Sequence, residues 1–184
     1  MDKVRFGIVG YGNMGTGHAK NFFNGKIDNG IVTAICDINP KKFEIFNNDN
    51  AELVKEYEDK YGKIQYFESA EAMYKSGVCD VVIICVPHYQ HPELAILAMD
   101  CNLHCIVEKP AGVYTLQVKE MLKRHESSDK ILGIMFNQRT NPVFKKMREM
   151  ILGGQIGEIK RTNWIITNWY RSQYYYDSGD WRAT

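Results

Sequence analysis

A lysine set between a glutamate and a proline at the end of an apolar run is the first feature able to do chemistry. Residues 105–112 read CIVEKPAG: Cys105, Ile106 and Val107 begin as a buried strand does, and Glu108, Lys109 and Pro110 follow at once. A strand end that only had to turn could use Gly, Asn or Asp. An ammonium held there could hydrogen-bond a substrate hydroxyl or carbonyl, stabilise developing alkoxide charge, or exchange a proton. The plainer alternative is a solvated Glu–Lys pair. X-Pro bonds are the ones for which cis is inexpensive, and a turn aiming one lysine back over strand ends is expected to use a cis Lys109–Pro110 bond.

A second stretch, GIVGYGNMGTGH, carries Gly10, Gly12 and Gly15 as G-x-G-x-x-G directly after a strand pattern and at the start of a helical one. The first glycine permits a tight turn, the second lets backbone approach a pyrophosphate, and the third allows close helix–strand packing. The loop Gly10, Tyr11, Gly12, Asn13, Met14 and Gly15 is thus a candidate phosphate cradle, its helix N-terminus offering N–H groups and partial positive charge. Asp37 ends the second strand pattern, where a carboxylate can accept from adenosine ribose hydroxyls and repel a 2′-phosphate. That favours NAD over NADP, although Lys41 and Lys42 nearby could still meet a phosphate. The competing reading makes the glycines a packing loop and Asp37 a cap.

The elements that must position these residues alternate. Val4 to Val9, Ile31 to Cys36, Ile64 to Phe67, Val81 to Val86, His104 to Val107 and Ile131 to Phe136 read as short strands. The Val/Ile-rich ones suit a parallel sheet covered on both faces. Met14, His18, Ala19, Phe22 and Phe23 recur at helical spacing, as do Leu94, Ala95, Leu97 and Ala98, and Val118, Met121 and Leu122. Strand, helix, strand in repetition specifies an α/β doubly wound sheet with right-handed crossovers. Lys109, at the carboxyl end of the fifth strand, then lies on the edge where such sheets bind ligands.

The pattern changes near Gly133 to Pro142. Val143, Met147, Met150 and Ile151 read as one amphipathic helix ended by Gly153-Gly154. Residues 156–168 read as a turn and a long strand that carries Trp164, Ile165 and Ile166 and has no later sequence to pair with, so self-association is expected. The aromatic, polar segment after it, including Trp169, Tyr170, Arg171 and Tyr174 to Tyr176, hints at a polar, ring-bearing ligand.

Composition narrows the classes. The 184 residues are 45% hydrophobic and 24% charged, which is ordinary for a globular chain, and the net charge of +1 argues against nucleic acid as a partner. Val81 to Val86 is far short of a membrane span, and residues 1–3 lead straight into a strand without a signal-like stretch, so a cytoplasmic location is expected. The five cysteines are an odd count lying mostly in or beside apolar runs, so disulfides are not expected. Cys101, His104 and Cys105 lack a second ligand pair at zinc-site spacing, and no metal is expected.

Together GIVGYGNMG, CDINPKK, CDVVIICVPHYQHPELAILAM, VEKPAG, FNQRTNP and GGQIGEI resemble the glucose-fructose oxidoreductase / inositol dehydrogenase / MocA family of nicotinamide-dependent oxidoreductases. The glycine fingerprint is generic; E-K-P at the fifth strand end is characteristic. The resemblance implies a Rossmann-type dinucleotide domain over residues 1–136 and the start of an α+β substrate and dimerisation domain over 137–184, incomplete because members are much longer. It implies that the loop glycines and Asp37 bind NAD and that Pro87, His88 and His91 border its nicotinamide half. Read from residues alone, His91 could instead cap a helix and His88 could be exposed. It further implies that Glu108 and Lys109 line the active site with Lys109 catalytic, and that Asn137 and Arg139 open the substrate domain. The function implied is hydride transfer between NAD and a secondary alcohol or ketone of a sugar, inositol or related molecule, in a homo-oligomer; the alternative is a non-catalytic or truncated dinucleotide-binding module.

Overall fold

The computed structural model describes residues 3–167 and 170–178, in two compact units, Met1–Met135 and Phe136–Thr184. In the first unit the chain runs β1 (Val4–Val9), α1 (Asn13–Phe23), β2 (Gly30–Cys36), α2 (Lys41–Asp49), α3 (Ala51–Tyr61), β3 (Gln65–Phe67), α4 (Ala70–Lys75), β4 (Val81–Ile84), α5 (His91–Asp100), β5 (His104–Glu108), α6 (Thr115–Glu126) and β6 (Leu132–Met135). All the strand pairs are parallel, and the sheet order is β3-β2-β1-β4-β5-β6.

The period of two along each strand divides the core. Ile8, Ile35 and Ile83 pack with Phe22, Phe23, Phe43, Phe46 and Tyr57 of α1, α2 and α3. Their neighbours Val9, Ala34, Cys36, Val82 and Ile84, with Cys105 and Val107, pack with Met73, Ala95, Ala98, Met99 and Met121 of α4, α5 and α6. Every residue of β4 is therefore buried, as a central parallel strand requires. Each buried Ile or Val contributes about 1.5–3 kcal/mol of apolar burial.

This order places the site. From β1 the chain steps outward through β2 to β3, then returns to the other side of β1 as β4 and continues outward. The reversal between β1 and β4 is the switch point at which open α/β sheets hold ligands, outside the strands' carboxyl ends.

The second unit holds a 3-10 turn (Asn137–Thr140), α7 (Pro142–Leu152) and α8 (Gln173–Asp177). The Asn141 side chain caps α7 by accepting from the Val143 amide at 2.9 Å, with Pro142 in the first turn where its missing N–H costs nothing. The helix expected from Val143, Met147, Met150 and Ile151 is present. The long strand expected over 156–168 is not: the described residues 158–167 carry none. A strand is stabilised by its ladder and cross-strand neighbours, and the described residues of the second unit offer no other strand to supply them. Trp164, Ile165 and Ile166 are 71%, 81% and 58% exposed. Among the described residues no helix is long and apolar enough to cross a membrane.

Candidate functional site

The glycine loop leaves the carboxyl end of β1. Gly10 has φ +89°, and a Cβ there would lie 2.8 Å from the Cys85 carbonyl group. The left-handed backbone and the close approach to β4 both demand glycine. A Cβ on Gly15 would stand 2.0 Å from the Gly10 carbonyl oxygen, so α1 can pack this tightly on its own entry loop only without one. Gly12 is different. A Cβ there would meet nothing within 4 Å, so its backbone faces open space.

Gly12 is also the N-cap of α1, it offers no side-chain cap, and the first turn carries no acid. The leading N–H groups of α1 are thus left for an anion in a space that any side chain at 12 would enter. These residues fit the pyrophosphate of a dinucleotide. Within the loop, Tyr11 turns its ring into the core, 2% exposed, edge-on to Phe46, so only its backbone faces the cradle side. Asn13 and Met14 are exposed.

Asp37 follows β2 and is 6% exposed. Its Oδ2 accepts from the Tyr11 amide at 2.7 Å and from Lys42 Nζ at 3.2 Å, and its Oδ1 accepts from the Asn39 amide at 2.9 Å. A carboxylate has roughly four acceptor positions. Three are filled, and one remains for a hydroxyl. The buried carboxylate also acts on its neighbour: burial, then the Asp37 charge, pushes the Cys36 thiol up to about 12, which keeps it protonated and inert.

On the other side of β1, β4 leads to Pro87 and a 3-10 turn, His88–Gln90. Burial, then the neighbouring His91 and Lys109, hold the His88 imidazole below its ordinary value. His91 is 1% exposed. One ring nitrogen lies 2.7 Å from the Pro110 carbonyl oxygen and the other 2.9 Å from that of Val86. Both nitrogens are thus engaged with backbone carbonyls, and Gln90 rather than His91 is the N-cap of α5.

β5 ends in Glu108, 5% exposed, whose Oε1 lies 2.8 Å from His18 Nε2 and whose Oε2 accepts from the Lys109 amide at 3.2 Å. Burial alone would raise the Glu108 carboxyl. The His18 hydrogen bond and charge, then the Lys109 amide and charge, outweigh it and set the group below its ordinary value. The Lys109–Pro110 bond is cis, as expected. The Lys109 side chain is exposed and forms no salt bridge among the described residues.

The first unit thus gathers the loop, Asp37, Pro87, His88, Glu108 and Lys109 along one edge of the sheet. The partner that sequence reading passed over is His18, counted there only as a helix position. Its signal was faint, an imidazole on the inward side of the helix that opens at the glycine loop. In the second unit, Asn137 and Arg139 stand on the 3-10 turn, with the Arg139 guanidinium 5.0 Å from the Phe136 ring centre. Tyr170 is 88% exposed, and Trp169 lies outside the described residues.

The chain is 28% identical over 155 residues to a myo-inositol 2-dehydrogenase of Thermotoga maritima, covering 84% of this chain and 42% of that one. Among solved structures it superposes on a myo-inositol 2-dehydrogenase of Lactobacillus plantarum with TM-score 0.74 at 26% identity, covering 86% of this chain and 43% of that one. On the WlbA dehydrogenase of Bordetella pertussis, solved with NADH and UDP-GlcNAcA, the TM-score is 0.79 at 25% identity, over 98% and 52% of the two chains. The chain spans less than half the length of the curated relative. Residues 4–136 match the family described as an oxidoreductase family with an NAD-binding Rossmann fold. The chain belongs to that Gfo/Idh/MocA oxidoreductase family.

Proposed function

We propose that the chain is the dinucleotide-binding part of an NAD-dependent oxidoreductase acting on a secondary alcohol or ketone of a sugar, an inositol or a related small molecule. The observation that carries this reading is that the loop Gly10–Gly15, Asp37 and Lys109 leave the carboxyl ends of β1, β2 and β5, flanking the reversal of strand order. A bound dinucleotide supplies the nicotinamide that exchanges a hydride with substrate. The chain's residues do the rest. The Gly12-capped helix end neutralises the pyrophosphate, and Asp37 takes a ribose hydroxyl. Lys109 donates a hydrogen bond to the reacting oxygen and stabilises the negative charge that gathers there.

In this reading residues 137–184 begin the substrate domain, with Asn137, Arg139, Trp169 and Tyr170 facing substrate. NAD is preferred to NADP, the protein is a homo-oligomer associating through its second unit, and it works in the cytoplasm. The exposed Trp164, Ile165 and Ile166 support the self-association, and five unpaired cysteines suit a reducing compartment. A second reading, a dinucleotide-binding module without turnover, is supported by the lack of any strand among the described residues of the second unit.

The test is NADH formation from NAD with a panel of inositols and sugars, monitored by absorbance. Oxidation of at least one polyol, lowered about 100-fold or more by Lys109→Ala, is expected. NAD binding without any turnover selects the module. Absence of NAD binding overturns both.

A further inference from the structure

Two histidines hold the residues on either side of Lys109. His18, from α1, bonds Glu108 through Nε2 at 2.8 Å, and the other Glu108 oxygen takes the Lys109 amide. His91, from α5, reaches the Pro110 carbonyl at 2.7 Å and the Val86 carbonyl at 2.9 Å. The two helices lie on opposite faces of the sheet: Ala19 and Phe22 of α1 pack in one core, Ala95 and Ala98 of α5 in the other. The segment 108–110 is therefore tied from both faces while the side chain between the ties projects into solvent.

Backbone fixed at both neighbours leaves a lysine only its own rotamers to search, and a group so restricted loses less entropy when it engages a ligand. The ties also connect Lys109 to the rest of the edge. His18 stands on the helix whose N-terminus is the anion cradle, and His91 joins the ends of β4 and β5.

We propose that His18 and His91 are positioning residues that clamp the Glu108–Pro110 segment from opposite faces of the sheet, so that the Lys109 ammonium is placed by the same helix that receives the phosphates. What Lys109 acts on rests on the functional reading above; the clamp does not.

Magnetic resonance of the chain carrying isotope-labelled lysine tests this, with the Lys109 signal identified by its loss in Lys109→Arg. The wild-type Lys109 signal is expected to stand apart from those of the other exposed lysines. His18→Leu and His91→Leu should each return it to that common position, with other lysine signals unmoved. His18→Gln, which keeps an N–H donor for Glu108, should restore most of the separation. NAD should shift the Lys109 signal in wild type and shift it at least threefold less in His18→Leu. Should the buried His91→Leu fail to fold, His18→Leu and His18→Gln, at the more exposed site, decide between the outcomes. A Lys109 signal that coincides with the common position in wild type, or that is unmoved by His18→Leu, overturns the clamp. If the signal responds to the histidine variants but no NAD binds, the clamp stands and the functional reading falls.

Discussion

The Asp37 carboxylate lies 2.7 Å from the amide nitrogen of Tyr11, so the acid that ends β2 is bonded to the middle of the glycine loop that ends β1. Lys42 adds its ammonium at 3.2 Å. The acid thus shapes the loop, and its negative charge is partly offset by Lys42.

Cofactor selectivity follows from that balance. Asp37→Ala should narrow the preference for NAD over NADP by roughly tenfold, about 1.4 kcal/mol of differential binding. Lys42→Ala, which leaves the carboxylate uncompensated, should widen it. Fluorescence titration with both cofactors measures each change. A preference for NADP in the wild type sinks the role given to Asp37.

The two loop glycines should separate stability from binding. Gly15→Ala forces a Cβ to 2.0 Å from the Gly10 carbonyl oxygen, and such backbone overlap should lower stability by roughly 1–3 kcal/mol or more. Gly12→Val brings its Cβ within 4 Å of nothing beyond its chain neighbours, so its stability loss should not exceed the roughly 1 kcal/mol of a poorer N-cap, while NAD affinity falls at least tenfold. Melting curves and titrations on both variants check this. Equal losses of stability would show that the space at Gly12 is not a ligand cradle.

The sheet was legible because Val/Ile runs with a period of two leave few alternatives to a buried parallel strand, and the glycine spacing marked the tight loop between β1 and α1. α2 and α3 were not singled out because each buries little: Phe43 and Phe46 from one, Val54 and Tyr57 from the other. The strand expected over residues 156–168 failed for a physical reason. Trp164, Ile165 and Ile166 favour an extended chain only where a neighbour completes the ladder, and composition cannot show that neighbour. His18 and Glu108 lie ninety residues apart, a pairing that only the crossing of α1 over the sheet creates.

Glu108 makes stability depend on acid. Its carboxyl is held below the ordinary 4.5, so the folded state binds the proton less readily than the unfolded chain. That contribution is fully present above the unfolded value and is lost as pH falls through the lower folded value. Glu108→Gln should therefore cost roughly 1–3 kcal/mol at neutral pH, and the gap to wild type should narrow as pH falls below the unfolded glutamate value of about 4.3. Denaturant unfolding at pH 7 and pH 3.5 measures both ends. A gap of equal size at the two pH values would contradict a Glu108 carboxyl held below its ordinary value in the folded state.

Calorimetric titration of NADH into the chain bears on the dinucleotide cradle without any intervening assumption about substrate. One saturable site is expected. Binding should be weakened at least tenfold by Gly12→Val and changed less than about threefold by Lys109→Ala, because the lysine is assigned to the reacting oxygen and not to holding the dinucleotide. No heat of binding in wild type, or full affinity retained in Gly12→Val, would contradict a dinucleotide site at the open end of α1.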